Sequence, residues 1–258
     1  MNHQEWYPVP GYRGIVAVDA EGFSKRSDVS QEHATGFILD VLARSFERAG
    51  VGEVWERRVF PSHRGDGYAF GFDPAMMPGV IASWPATLQR TLMECEPQSG
   101  GPLRLRVSLH IGPLPVDGGP HDGSGTARNE AHRLLNADVL KLLLAKASRE
   151  VTRAVVIVSD DCFKVAVRSM RSLHPDLFCE VSATLADKQF DQRAWIHVPV
   201  PSGNLLAAGI AALLNPETGP DGEAAERRAQ GAAHVVHHTV GNRNDGVVGG
   251  NQSINFNG

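Results

Sequence analysis

Residues 13–24 read RGIVAVDAEGFS, an apolar run that ends on an acidic residue and a glycine turn. Ile15 to Val18 are apolar and mostly β-branched, which predicts a short buried strand. Asp19 follows at the end of that strand, where a rigid element can present a carboxylate to a cleft. The backbone amides of a turn at Gly22 can cradle phosphate oxygens. The alternative is that Asp19 only opens a turn and caps the next element.

The bulk composition is that of a soluble globular protein. The chain has 258 residues, of which 42% are hydrophobic and 21% charged, enough for one or two domains with a buried core. A formal net charge of −4 gives no electrostatic signature for binding nucleic acid or an anionic membrane. The 3 cysteines form no C-x-x-C pair, which argues against a disulfide framework and a structural zinc site. With no signal pattern and no membrane-spanning apolar run, we expect a cytoplasmic protein.

Strand and helix patterns alternate along the chain. Four helices are predicted, from Ser30 to a C-cap at Gly50, from Pro78 to Cys95, from Thr126 to Ala147, and after a cap at Ser159. In the first and third of these, apolar residues recur at helical spacing. Alternating or continuous apolar runs predict further strands at Glu53 to Phe60, Tyr68 to Phe72, Leu103 to Ile111, Ala154 to Val158, Phe178 to Thr184 and Ala194 to Val198. This mixture of hairpins and helical crossovers indicates an α+β fold, a mixed sheet covered by helices on one face.

The composition changes after Pro199. Residues 201–232 are interpreted as a linker that contains one short helix within Ser202 to Leu214. Residues 233–258 form a low-complexity tail rich in Gly and Asn. Such a tail carries too little apolar mass to fold alone, so it is either disordered or able to stack in register with copies of itself.

Three features outside the first strand carry candidate chemistry. Asp66 lies between two glycines in a predicted hairpin turn. Asn129 and Arg133 are four residues apart on a predicted helix and therefore share one of its faces. His110 lies within a predicted strand with no partner at metal-ligand spacing, which favours a structural histidine over a ligand or base. Taken singly, each is also common in proteins without any such function.

Taken in order, these features resemble one family. The chain presents strand-Asp-x-x-Gly-Phe-Ser, then Arg-Gly-Asp-Gly, then Leu-Arg-Val-Ser-Leu-His-Ile-Gly, then Asn-x-Ala-x-Arg-Leu-Leu and Val-Ser-Asp. The set resembles the class III nucleotidyl cyclase domain over residues 8–200, and is most similar to bacterial pyrimidine (Pycsar-type uridylate) cyclases of actinobacterial kind. The resemblance implies a ferredoxin-like βαββαβ fold and a head-to-tail homodimer with composite nucleotide sites at its interface.

The resemblance also implies roles for individual residues. Asp19 and Asp66 correspond to the carboxylates that bind two Mn²⁺ or Mg²⁺ ions, and the backbone carbonyl of Ala20 corresponds to a further metal ligand. Hard divalent cations prefer such oxygen ligands. Asn129 and Arg133 correspond to residues that cross from the partner subunit to orient the ribose and stabilise the α-phosphate. Backbone amides at three consecutive positions would hold the terminal phosphates, namely Gly22, Phe23 and Ser24.

The base-reading positions match the purine cyclases only in part. Asp122, seven residues before the Asn, agrees with the adenine-reading pattern of the family. Ser62, four residues before Asp66, stands where those members typically carry a Lys, and a serine cannot replace a long ammonium donor. Phe60 is either an aromatic wall of the base pocket or a core residue.

Three functions follow from the sequence. The favoured one is a metal-dependent cyclase that converts UTP to 3′,5′-cyclic UMP and pyrophosphate in antiphage defence, with the substrate and setting implied by resemblance only. The second is an adenylate or guanylate cyclase. The third is a catalytically inactive cyclase-like interaction protein that signals through its tail, by self-association or by recruiting a defence effector.

Overall fold

The computed structural model describes residues 10–23, 28–63, 65–95, 101–115, 123–168, 173–185 and 190–210. By their contacts, the described residues belong to one compact unit. The predicted tail, and the linker beyond residue 210, lie outside the described residues.

Seven strands form one mixed sheet in the order β2-β3-β1-β4-β5-β7-β6. Their bounds are β1 Tyr12–Ala20, β2 Val59–His63, β3 Gly67–Phe72, β4 Leu105–Pro113, β5 Ala154–Ser159, β6 Cys179–Leu185 and β7 Phe190–His197. Strands β4 and β5 are parallel, and all other neighbours are antiparallel. The first four strands have the order expected of the ferredoxin-like βαββαβ unit, and β5 to β7 extend that sheet.

Seven helices accompany the sheet among the described residues. They are α1 Asp28–Arg48, α2 Gly52–Glu56, α3 Met77–Glu94, α4 Thr126–Leu135, α5 Asp138–Lys146, α6 Asp160–Ala166 and α7 Asn204–Ala207. The predicted cap at Ser159 is confirmed, since its hydroxyl accepts a hydrogen bond from the Cys162 amide. None of the helices within the described ranges combines the length and apolarity needed to cross a bilayer.

Helices cover both faces of the sheet, rather than the single face predicted. On one face, Val156 and Val158 of β5 join the main core with residues of α1, α3 and α6. On the other face, Val155 and Ile157 pack with residues of α5. All six residues of β5 are buried. A continuous apolar strand of this kind needs cover on both faces, so the sequence already contained the signal.

Two other predicted elements are wrong in detail. The predicted strand from Glu53 to Phe60 is replaced by the short helix α2 and the later strand β2, because Val54 and Trp55 pack as helix residues against the core. The predicted helix from Thr126 to Ala147 is two helices, because Ala137 adopts an extended conformation between them. Asn136 ends α4, a position that suits an asparagine side chain.

Gly67 tests how tightly β3 is fitted against β1. A Cβ atom at this position would lie 2.8 Å from the Val18 carbonyl oxygen. We expect Gly67→Ala to lower the free energy of unfolding by about 1–3 kcal/mol in urea denaturation, because the strands must move apart. Gly36→Ala, within α1, is the matched control, since its Cβ would meet nothing within 4 Å. This change should raise the free energy of unfolding by about 0.5–1 kcal/mol. Equal stability of Gly67→Ala and the wild type would contradict this account.

Candidate functional site

The register of the central strands places Asp19 between two informative neighbours. Asp19 pairs with Gly67 of β3 on one side and with Arg106 of β4 on the other. Only 8% of the surface of Asp19 is exposed. Because Gly67 has no side chain, the space beside the Asp19 carboxylate on the β3 side stays open. The end of β1 therefore presents a mostly buried acid next to a gap.

The second acid lies at the adjoining turn. The Asp66 carbonyl accepts a hydrogen bond of 2.9 Å from the Ala20 amide, which ties the β2–β3 turn to the end of β1. The Thr35 hydroxyl of α1 donates to the Gly65 carbonyl at 2.9 Å and holds the same turn from its other side. The turn that carries Asp66 is thus fixed to two elements.

Both acids line one cavity of about 680 Å³ between the β1–β3 end of the sheet and helices α4 and α5. Asn129 and Arg133 line it too, from α4. The resemblance implied that this pair reaches the acids of a second subunit, whereas in a single chain all four side chains face the same cavity. The remaining described lining residues are Val18, Ser62, Gly67, Tyr68, Ala69, His132, Leu135, Asn136, Asp138, Lys141 and Leu185.

Arg106 holds the Asp19 carboxylate in a bidentate ion pair. Arg106 Nε donates to Asp19 Oδ1 and Nη2 donates to Oδ2, each at 2.7 Å. Burial raises the pKa of Asp19 from 3.8 to about 6, the charge and hydrogen bonds of Arg106 oppose that rise, and nearby Asp66 adds to it. A neighbouring cation therefore favours the ionised form of Asp19 against the effect of burial.

The two acids fit a divalent cation that arrives with phosphate. Asp66 is close enough to raise the pKa of Asp19, so one cation between them would relieve the repulsion of two carboxylates. Within the described part of the chain, no group of three or more His, Cys, Asp or Glu side chains could hold a metal ion. Mg²⁺ commonly uses one or two carboxylates and completes its shell with water and substrate phosphates. The donor set here is of that kind.

Asn129 and Arg133 lie on the exposed face of α4. The Arg133 guanidinium lies 5.8 Å from the centre of the Phe190 ring of β7, within the range of a cation–π contact. Phe190 itself is buried, so its ring gives the guanidinium a fixed surface to lie against. An arginine at this wall can offer a planar pair of donors to an anion in the cavity.

The segment after Asp19 is anchored by a buried arginine. Arg104 is 1% exposed and donates to the Glu21 carboxylate at 3.1 Å and to the carbonyls of Thr152 and Leu144. Arg149 donates to the same Glu21 oxygen at 3.0 Å. Glu21 fixes the chain between Ala20 and the turn at Gly22, whose φ of +68° is one that glycine adopts without strain.

The other predicted nucleotide contacts lie elsewhere or outside the described residues. Among the described residues that line the cavity, Ala20, Gly22, Phe23 and Phe60 do not appear. For the first three, the predicted contacts use backbone atoms, and the Phe23 side chain packs in the main core. Ser24 and Asp122 lie outside the described residues.

Phe60 occupies a bulge of β2 and packs away from the cavity. Its φ is +53°, and the pairing of β2 with β3 shifts register between Val59 and Ser62. Arg128 of α4 stabilises this bulge by donating to the Phe60 carbonyl at 2.6 Å. The ring packs against a small cluster of buried residues below α4. This placement favours the core interpretation, and the base-reading role of Phe60 stays a prediction, whereas Ser62 faces the cavity.

His110 has the structural role that the sequence favoured. Its Nδ1 is 2.8 Å from the Ser159 hydroxyl, and its Nε2 is 3.3 Å from Glu130 Oε2. Burial lowers the pKa of His110. The ring thus links β4 to the start of α6 and to α4.

Sequence reasoning missed two cations of the site. Arg106 belongs to the Leu-Arg-Val-Ser-Leu-His-Ile-Gly motif, but only the strand register shows that it faces Asp19. Lys141 of α5 lines the cavity, forms a 2.9 Å ion pair with Asp138, and lowers the pKa of Asp19. Its position depends on the break between α4 and α5, which helical periodicity alone did not reveal.

Comparisons with known proteins give structural likeness only. No protein-family model matches the chain, and no curated protein matches it. The guanylyl cyclase Cya2 is 14% identical over 74% of this chain and 95% of that chain, with a TM-score of 0.50. The catalytic core of a rhodopsin-guanylyl cyclase with converted specificity, solved with ATPαS, is 14% identical over 74% and 97%, with a TM-score of 0.49. The adenylate/guanylate cyclase/hydrolase from Silicibacter pomeroyi is 17% identical over 73% and 97%, with a TM-score of 0.48.

At these identities the likeness concerns the fold. The Cya2 match, together with the strand order of the sheet, confirms the predicted α+β architecture of the nucleotidyl cyclase type. The roles of individual residues stay predictions.

The pKa of Asp19 predicts how stability changes with pH. The folded value of about 6 is above the ordinary 3.8, so the contribution of Asp19 to stability is complete below pH 3.8 and is lost as the pH rises through 6. In urea denaturation without metal, we expect Asp19→Asn to gain up to about 3 kcal/mol relative to the wild type between pH 4 and pH 7. Parallel pH profiles for the two proteins would show that the carboxyl titrates normally.

Proposed function

We propose that this protein is a metal-dependent nucleotidyl cyclase, which converts a ribonucleoside triphosphate to a 3′,5′-cyclic nucleotide and pyrophosphate. The observation that carries the proposal is the shared cavity, in which two acids face an amide and a guanidinium. The fold shared with Cya2, which is described as a guanylyl cyclase, agrees with it.

In this reaction all bonds form and break within the nucleotide, and the protein forms no covalent intermediate. The ribose 3′-hydroxyl attacks the α-phosphorus, the new O–P bond closes the ring, the bond to the β-phosphate breaks, and the hydroxyl proton passes to solvent. Asp19, Asp66 and the carbonyl of Ala20 would hold the cations. Bound divalent cations neutralise phosphate charge and lower the pKa of the attacking hydroxyl.

The other residues of the cavity orient the substrate. Asn129 would hydrogen-bond the ribose and keep the 3′-hydroxyl in line with the α-phosphate. Arg133, always protonated, would stabilise the charge that develops on the α-phosphate oxygens. Its contact with Phe190 limits the positions that the guanidinium can take. Lys141 adds a second cation to the same wall of the cavity.

For the base, we favour UTP. Ser62, rather than a lysine, faces the cavity near the second acid, which weakens the adenine-reading pattern. The pyrimidine preference and the setting in antiphage defence rest on the resemblance to pyrimidine cyclases. The alternative substrates are ATP and GTP, since the structural neighbours are described as adenylyl and guanylyl cyclases.

An assay with single substrates tests the reaction. Purified protein is incubated separately with ATP, GTP, CTP and UTP in the presence of Mn²⁺, and products are identified by mass spectrometry. We expect cyclic UMP. Cyclic AMP or cyclic GMP would support the purine alternative, and no product with any of the four triphosphates would overturn the cyclase proposal.

Asp66→Asn tests the assigned acid. It should lower kcat by at least about a hundredfold, because cation binding and charge stabilisation at the reacting centre are lost. The turn residue is only half-buried, so the melting temperature should change little. Asp40→Asn, at an exposed position of α1, is the matched control and should keep wild-type turnover. Near-normal turnover of Asp66→Asn would remove this acid from the mechanism.

Mixing two inactive variants tests the homodimer. If sites are shared between subunits, Asp19→Ala mixed with Arg133→Ala gives dimers with one intact site. About half of randomly assorted dimers are mixed, so we expect about a quarter of wild-type activity to return. Because all four residues line one cavity of a single chain, the absence of recovery, with mixed dimers shown to form, would place each site within one subunit.

A further inference from the structure

We infer that Arg106 keeps Asp19 from binding a divalent cation until the phosphates of a nucleotide are present. The inference rests on the proposed function and assigns a role to a residue outside the set implied by the family resemblance. Arg106 would be a positioning residue in the protein without nucleotide, since its guanidinium donates to both oxygens of Asp19.

Arg106 binds both oxygens of the Asp19 carboxylate. The two residues are direct partners across the β1–β4 ladder, so their backbones hold the side chains face to face. Both carboxylate oxygens accept a 2.7 Å hydrogen bond from the guanidinium fork. The side chains are only 15% and 11% exposed, so little water screens the pair. Of the charge-assisted hydrogen bonds in proteins, bidentate pairs of this kind are among the strongest.

The charges around Asp19 explain why such a partner is needed. Asp66 lies near enough to raise the pKa of Asp19, and Lys141 of α5 is a more distant cation that lowers it. Without Arg106, the cavity would hold two repelling carboxylates, one of them buried. A buried and unpaired charge is strongly unfavourable. Arg106 supplies the missing positive charge in the chain without metal.

The same charge opposes a metal ion that arrives alone. A divalent cation at the Asp19 oxygens would lie close to the guanidinium, with little solvent to screen the repulsion. A triphosphate brings several negative charges into the cavity and offsets both cations. Metal occupancy is thereby coupled to nucleotide occupancy, which would limit idle metal binding by the empty protein.

A simple orienting role would give the opposite result. Metal-binding carboxylates are often held by hydrogen bonds that orient them, and loss of such a partner typically weakens metal binding. The sign of the change in metal affinity on removal of the guanidinium therefore distinguishes the two roles.

The experiment measures Mn²⁺ binding to the full chain by electron paramagnetic resonance at pH 7.5, with no nucleotide. We expect Arg106→Gln to bind Mn²⁺ about tenfold more tightly than the wild type, because the repelling charge is removed. Arg90→Gln, at an exposed position of α3, is the matched control and should be unchanged. Asp19→Asn combined with Arg106→Gln should lose the gain, which ties it to this acid.

A second measurement adds a non-cyclising triphosphate analogue. With the analogue bound, we expect the difference between the wild type and Arg106→Gln to fall to less than about twofold, because phosphate charge offsets the guanidinium. Unchanged or weaker Mn²⁺ binding by Arg106→Gln would overturn the inference. So would a gain that survives Asp19→Asn, or a difference that persists with the analogue.

Neither a folding defect nor the lack of cyclase activity would leave the role of Arg106 untested. If thermal unfolding shows that Arg106→Gln does not fold, Arg106→Met decides, since it also removes the charge and keeps an unbranched side chain in the same space. It should bind Mn²⁺ about tenfold more tightly than the wild type, and no gain would overturn the inference. None of these measurements needs turnover, so a wild type that makes no cyclic nucleotide would reject the proposed function without deciding the role of Arg106.

Discussion

The antiparallel register of β1 between β3 and β4 is the constraint on which the rest of the site depends. It sets Asp19 opposite Gly67 and Arg106, and thus gives the acid open space on one side and a guanidinium on the other. Successive residues of a strand point to opposite faces, so a slip of one residue would turn Asp19 into the main core beneath α1 and α3. The apolar residues Val16 and Val18 prevent that slip, because their burial in the core fixes the face that Asp19 must take.

Buried charge is concentrated at this end of the sheet, and each charge there has a partner. Asp19 is matched by Arg106, and the fully buried Arg104 is matched by Glu21 and two carbonyl groups. Such pairs are an uncertain source of stability, since replacement by apolar residues is often neutral or favourable. Their presence is better explained by the need to hold carboxylate groups and backbone carbonyls at fixed positions around a cavity.

The sequence predicted the polar residues of the site better than their surroundings. Asp19, Asp66, Asn129 and Arg133 were singled out because the motifs that contain them occur in the order seen in one family, and all four line the same cavity. Arg106 and Lys141 were missed because the first acquires its partner through cross-strand register and the second through a break in a helix. The short helix α2 was missed for a related reason, since the packing of Trp55 overrides the strand preference of its neighbours.

The floor of the cavity consists partly of residues with little or no side chain. Gly67 and Ala69 of β3 line it, with Leu135 of α4 beside them. Backbone rather than rotatable groups therefore sets the shape of the floor, and little conformational entropy is lost there when a ligand binds. An evolutionary consequence follows. A relative that gained bulk at these two strand positions would lose this cavity while keeping every polar residue that lines it, so motif inspection alone would not reveal the loss.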